Sequence, residues 1–418
     1  MTRTRPSILH NRNLVCLAAA QVSALLGDGV YRIAVLWWVK ERSGSDAQVA
    51  AMALVATVPS LALLPFAGLA ADRFDRRRLM IGMSAVRFFL LGVTAVLAAL
   101  GRLEMFHLYG MAFLLSSASA FFTPTYMASI RQVTHTSELA AANSILNASM
   151  AATAILGPAF GGWLSTLGPT FGIGLDAASF GLSALLLASC RIPPLKAAST
   201  RAHSSIFVEL GQGLRALLGQ RVIRGALVVV GLTTFFSAPL PSLLPGLAKD
   251  VLASDGRGFG LLEGSIAGGF VIGSAVAPFL LRRVLAAGRL LLLLSVASGA
   301  LLGSVGFSHR LLTAALLLAG QGAVFAVIHV AASLFFQTLI PEELQGRGFG
   351  IVFGIMDAVV LLSLACGTSA LAFLGVSDLL KGCGVGVAIA GLIGFFIPEL
   401  VALQRPGEPH EQSIEPAS

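Results

Sequence analysis

An all-α integral membrane fold, with twelve transmembrane helices in two six-helix bundles, is what this sequence predicts. Three observations carry the expectation. Of the 418 residues, 56% are hydrophobic and 11% charged, and the mean hydropathy is +0.86; soluble domains carry about 25% charged residues. Apolar windows recur at 14–39, 48–71, 79–100, 106–130, 139–166, 171–190, 222–247, 259–281, 289–308, 311–339, 349–375 and 382–402. Each approaches or exceeds the roughly 20 apolar residues that a bilayer crossing needs. The longest interruption, Arg191 to Arg221, divides them six and six.

The chain opens on a basic segment, Met1 to Asn13, that enters the first window without a small-residue cleavage site. It reads as a tail with its first helix retained rather than as a cleaved signal. Twelve spans put both ends on one side. Arginines crowd the loops of that side, above all at Arg73, Arg76, Arg77 and Arg78, whereas the opposite loops hold only Lys40, Arg42, Arg102, Lys249, Arg257, Arg310 and Lys381. Positive residues favour the cytoplasmic side, so both termini are expected in the cytoplasm and the chain in the cell (inner) membrane. The net charge of +8 then reflects arginine-rich loops facing anionic lipid, not a nucleic-acid patch.

In the first span, Asp28 and Arg32 stand four residues apart, on one helix face and within pairing reach. A charge in hydrocarbon costs about 2.5–3.5 kcal/mol or more, so the pair requires a reason. Either Asp28 titrates, freeing Arg32 and shifting the balance of two conformations, or the pair is static and only sets helix packing. Between spans two and three lies a tight charged turn, Gly68-Leu69-Ala70-Ala71-Asp72-Arg73-Phe74-Asp75-Arg76-Arg77-Arg78. It is either a solvated topology signal or a site where Asp72 accepts charge-assisted hydrogen bonds from the arginines.

Arg87, in span three, has no acid one turn away; its partner is expected across the bundle, Asp28 being one candidate, or among lipid headgroups. In span five, Gly157-Pro158 and Gly161-Gly162 combine a kink with a smooth face for close helix approach. Asp176 reads as a wetted acid near the end of span six. The linker begins Pro193-Pro194 and then spaces Ile206, Phe207, Leu210, Leu214, Leu217 and Leu218 helically. An amphipathic helix at the membrane surface fits it, as does a plain linker helix.

Pro239, Pro241 and Pro245 break span seven towards its far end, for gating or for packing. Glu263, in an apolar context in span eight, is a candidate for proton entry or cation binding. His329 lies deep in span ten and can titrate near neutral pH, or can simply pack; Asp357 lies inside span eleven. Phe235 and Phe236, with Phe325, Phe335 and Phe336, would supply aromatic surface in spans seven and ten. Cys16, Cys190, Cys366 and Cys383 form neither a disulfide framework nor a metal-ligand spacing. With no G-x-x-x-x-G-K-[ST], H-E-x-x-H or serine-hydrolase elbow, nucleotide-driven transport and membrane enzymology are not expected. No metal or cofactor is expected.

The turn Gly68-x-x-x-Asp72-Arg73-x-x-Arg76-Arg77 resembles the signature loop between helices two and three of the major facilitator superfamily, with Ala70 and Asp75 where leucine and glycine are common. Phe122-Thr123-Pro124, Glu138-Leu139-Ala140-Ala141-Ala142-Asn143, Leu26-Gly27-Asp28-Gly29 with Tyr31-Arg32, and Pro341 to Arg347 look like the drug, macrolide and siderophore exporter branch, in its enterobactin-exporter-like form. Gly157-Pro158-Ala159-Phe160-Gly161-Gly162 resembles the core of the antiporter motif of helix five. The second half echoes the signature loop only through Arg282 and Arg283.

The resemblance covers Leu14 to about Leu403. It implies two bundles rocking about a central site, with residues 1–190 and 222–402 as the bundles, 191–221 as linker and 403–418 as tail. It implies that Asp72, Arg73 and Arg76 latch the bundles together in the outward-facing state. It also implies that spans seven and ten line the central cavity, with Arg87 contributing there. The expected function is export of a hydrophobic or amphipathic small molecule, powered by the proton gradient, by a monomer that needs no cofactor. A siderophore exporter and a lysophospholipid flippase are the alternatives within the fold. A non-transporting membrane sensor is the alternative outside transport.

Overall fold

The computed structural model describes residues 11–134, 139–192, 219–283, 287–339 and 345–402. The expected linker helix and the segment Pro341 to Leu344 lie outside them, as does the tail. The first half contains α1 (Arg12–Ser43), α2 (Asp46–Arg73), α3 (Arg76–Ala99), α4 (Met105–Val133), α5 (Leu139–Ser165) and α6 (Pro169–Ser189). The second contains α7 (Arg221–Ser237), α8 (Leu240–Gly246), a π turn (Leu247–Val251), α9 (Gly256–Arg283), α10 (Ala287–Val305), α11 (Leu311–Leu339), α12 (Gln345–Ala370), α13 (Val376–Phe395) and the short α14 (Pro398–Val401). Among the described residues, eleven segments are long and apolar enough to cross a membrane, and α12 adds the shorter apolar stretch Gly354–Ala370. The protein is a multi-pass, all-helical membrane protein.

Local chemistry sets the helix ends. Asn11 caps α1 by accepting from the Leu14 amide, and Gly44 ends it in the left-handed region at φ 66°. Asp75, the departure from the usual loop glycine, has a use of its own. Its Oδ1 accepts from the Arg78 amide at 2.8 Å and starts α3 only two residues after α2 ends. Span seven is continuous in path but not in type. Proline lacks an N–H, and with Pro239 and Pro241 following Ser237 the chain passes from α7 into α8 and then the π turn.

The packing repeats where the sequence hardly does. In the first half α1 lies on α5 and α6, α3 on α6 and α2 on α4; in the second α9 lies on α11, α10 on α13 and α13 on α7. The pairs α2·α4 and α9·α11 correspond, as do α3·α6 and α10·α13. The halves meet through α5·α9 and α2·α12, which the same repeat exchanges, as inverted or parallel duplications in transporters do.

The buried core shows how the halves sit together. At the end carrying Gly44 and residues 252–255, one apolar cluster draws on both: Ile33, Trp37 and Val49 of the first half pack with Leu243, Leu244, Phe259 and Leu262 of the second. Trp37 stacks on Phe259 with ring centroids 6.4 Å apart. At the arginine-rich end the clusters separate. Leu17, Met80, Phe122, Tyr126 and Leu187 form one within the first half; Val229, Leu281, Leu292 and Phe335, and Ile223, Leu227, Ile351 and Val352, form two within the second. Among the described residues the molecule is closed by a shared core at one end and divided at the other.

Candidate functional site

Arg32 does not pair with Asp28. Its guanidinium reaches across to α9 and grips Glu263 with two prongs, Nη1 to Oε1 at 2.7 Å and Nη2 to Oε2 at 3.1 Å. Helical spacing put Asp28 and Arg32 on one face, but a long side chain takes the partner that offers both oxygens at once. Glu263, 8% exposed in its side chain, is that partner. The expected intrahelical pair is therefore replaced by one that joins the two halves.

A second ionic junction lies nearer the closed end. Lys40, fully buried, places Nζ 2.7 Å from Asp46 of α2 and 2.5 Å from Asp250 of the π turn, and also donates to the Gly44 carbonyl at 3.3 Å. Sequence reasoning missed it, because Lys40 reads as a loop cation and Asp250 is 210 positions away. The signal available was the acid at the start of α2, six residues on.

The glycines of α5 split between two duties. Gly157 faces α1: a Cβ built on it would lie 3.0 Å from Gly29 Cα. Gly162 faces the other half. A Cβ on Gly162 would lie 3.0 Å from Gly260 Cα, and one on Gly260 would lie 2.5 Å from the Pro158 carbonyl oxygen. Gly161 packs on Val30 and Ile33. The Gly-Pro-x-x-Gly-Gly run thus lets α5 lie backbone to backbone against α1 and α9 together.

Inside the first half, Arg87 of α3 is buried at 4% exposure. It donates to the Ser119 hydroxyl of α4 and lies over the Phe180 ring at 4.7 Å and the Phe122 ring at 5.6 Å. Asp28 and Asp176 both fall within its electrostatic range, and among the described residues neither forms a direct ion pair with it. Asp176 is not the wetted acid expected: it is fully buried, with Oδ1 3.1 Å from the Ser179 hydroxyl. The helix face that carries it turns inward onto α1 and α3 instead of ending in water.

In the signature loop, Arg76 donates to the Ala71 carbonyl at 3.1 Å and to the Ala128 carbonyl of α4 at 3.2 Å. Arg77 donates to the Leu187 carbonyl at 3.3 Å and to that of Ala188. These bonds tie the loop to its own bundle. Gly68 and Arg73 are exposed, and the Asp72 side chain lies outside the described residues.

In the second half, a cavity of about 100 Å³ opens among α7, α10 and α11 towards the arginine-rich end. Thr233, Thr234, Ser295, Phe325, His329 and Phe335 contribute to its wall. His329 lies beside the rings of Phe325 and Phe270, with centroids 6.5 and 6.2 Å away. Phe236 is placed differently from the expectation. Its ring lies on Gly386 of α13, inside the bundle, with Phe235 edge-on at 5.1 Å. Asp357 is exposed. Among the described residues no group of three or more His, Cys, Asp or Glu could hold a metal ion.

Comparison with known proteins places this arrangement. The family described as transmembrane secretion effectors, within the major facilitator superfamily, matches residues 7–413. The MFS-type transporter YfiS of Bacillus subtilis is 26% identical over 413 residues, covering 93% of this chain and 94% of that protein. The multidrug efflux pump Tap of Mycolicibacterium fortuitum is 25% identical over 410 residues, covering 95% and 98%. Among solved structures, a nucleoside transporter NupG variant superposes with a TM-score of 0.77 at 11% identity, over 92% of this chain and 99% of that one. That likeness concerns the fold.

Proposed function

The chain belongs to the transmembrane secretion effector family of major facilitator transporters, and from that premise we propose that it exports a hydrophobic or amphipathic, drug-like small molecule in exchange for protons. Multidrug efflux by a full-length relative such as Tap supports the substrate class. The observation that carries the mechanism is the one-ended closure: a core shared by both halves at one end, and separate cores at the other. With the arginine-rich end in the cytoplasm, as the loop charges favour, this is an inward-facing state of an alternating-access cycle in the cell membrane.

The junctions that must break for the opposite state are chemically specific. Arg32–Glu263 and Lys40–Asp46–Asp250 hold the halves together, and the Gly162–Gly260 contact is the close approach about which they rock. A proton taken by Glu263 would neutralise one partner of the first junction and free Arg32. Asp28, beside Arg87 within the first bundle, is the second proton-coupling acid of this reading. The aromatic wall at Phe325 and His329 suits a lipophilic substrate.

Inverted membrane vesicles, energised acid inside, test it with a panel of lipophilic cations, macrolides and siderophores. Accumulation that collapses with a protonophore and with Asp28→Asn is expected. Movement of no panel member under the gradient would overturn the exporter reading; preference for the siderophores alone would replace its substrate class.

A further inference from the structure

We infer that Asp176 of α6 and Asp28 of α1 form a two-carboxylate proton site around Arg87, with Asp176 holding the proton. The inference deepens the proton-coupled reading above, and its test reads proton binding separately from transport.

Four features of the geometry converge on it. Asp176 is against α1 one residue from Asp28: a Cβ built on Gly27 would lie 2.3 Å from Asp176 Oδ1. Asp176 is fully buried and Asp28 half-buried. Arg87 supplies one positive charge for both, and it grips neither. Its Nη2 is used by Ser119 and its plane by Phe180 and Phe122. Two ionised carboxylates and one guanidinium would leave one unbalanced negative charge in low dielectric, which a single proton removes.

One carboxyl oxygen of Asp176 has a donor and the other has none. Ser179 Oγ donates to the Asp176 backbone carbonyl at 2.8 Å and to Oδ1 at 3.1 Å. A hydroxyl has one proton to give, so Oδ1 shares it with the carbonyl. Asp176 Oδ2 is buried with no donor, and so is Arg87 Nε without an acceptor. An ionised carboxylate left with an orphaned oxygen in that position would be costly.

The elements packed around Asp176 bring few charged groups to it. α1 presents Asp28 and Tyr31, whose hydroxyl is unpartnered, while Arg32 is turned away to Glu263. α3 presents Arg87 and Ser84, α4 presents Ser119, and α5 contains no charged residue in its sequence. Arg32 is the other cation within electrostatic range of Asp28, and its guanidinium is engaged by Glu263.

The test is infrared difference spectroscopy of the purified full chain in lipid nanodiscs across a pH jump. The carboxylic C=O stretch is followed in wild type, Asp28→Asn, Asp176→Asn and the double variant. The expected result is a protonated-carboxyl band that is lost in Asp176→Asn and in the double variant, and weakened in Asp28→Asn, where Arg87 balances the one remaining acid. Ser179→Ala, which keeps both acids and the fold, should displace the same band. A band that persists unchanged in Asp176→Asn, or one that ignores Ser179→Ala, overturns the inference. Vesicle transport is read in parallel. Gradient-driven export with a band indifferent to Asp176 sinks this inference alone. A band assigned to Asp176 with export indifferent to the gradient keeps the site and removes the coupling.

Discussion

Arg32 of α1 and Glu263 of α9 form a two-pronged ion pair that bridges the two bundles, 231 positions apart in the chain. Its partners belong to helices that part in any rocking motion, so its strength bears on the balance of states rather than on the stability of either bundle.

Breaking it should therefore open the closed end. Spin labels at the exposed positions Glu41 and Arg257 are expected to report a longer distance in Glu263→Gln than in wild type. The charge-swapped pair Arg32→Glu with Glu263→Arg should restore part of the shorter one. A coupling on the order of 1 kcal/mol is expected, because Arg32 remains 43% exposed and the pair is only partly desolvated. An unchanged distance distribution in Glu263→Gln would remove the pair from the gate.

Lys40 is the tighter of the two junctions, since one fully buried ammonium serves two carboxylates. Lys40→Met should lengthen the same spin-label distance more than Glu263→Gln does. Its effect should be reproduced in part by Asp250→Asn, the partner from the other bundle. If Lys40→Met left the distance alone while lowering thermal stability, the network would be a fold element and not a gate.

Gly260→Ala adds a methyl 2.5 Å from the Pro158 carbonyl, whereas a methyl on Gly264 meets only the Ile155 carbonyl at 3.9 Å. Backbone cannot swing aside as a flexible side chain can. Gly260→Ala is expected to push α5 and α9 apart and to cut transport at least tenfold, with Gly264→Ala close to wild type in the vesicle assay. Equal activities would show that the close approach is dispensable.

Removing Arg87 leaves two acids without their shared cation. Arg87→Met should lower unfolding stability in detergent by about 3–5 kcal/mol, the usual cost of an uncompensated buried charge. Adding Asp28→Asn should recover part of that loss, because it removes the charge left over. A double variant no more stable than Arg87→Met would mean that Arg87 acts by packing on Phe180 and Phe122 rather than by charge.

The helices, their number and the close-packing run in span five were legible because each is a local pattern. Window hydropathy reports a bilayer crossing directly, and the glycines of Gly157 to Gly162 offer a smooth face for close approach. Even Asp75, out of place in its motif, is explained within four residues as the cap of α3.

What the sequence determined by itself was therefore whatever depends on neighbours within a turn or two: spans, kinks, loop charge and family. The tertiary structure alone decided which charges meet. Arg32 has a carboxylate one turn away and takes another from the far bundle, Lys40 finds Asp250, and Asp176 is carried from an expected wet helix end into a dry pocket beside Asp28. The physical reason is reach and burial together. A long cationic side chain can select among several acids, and the selection is made by geometry and desolvation, neither of which is written in the spacing of residues along one helix.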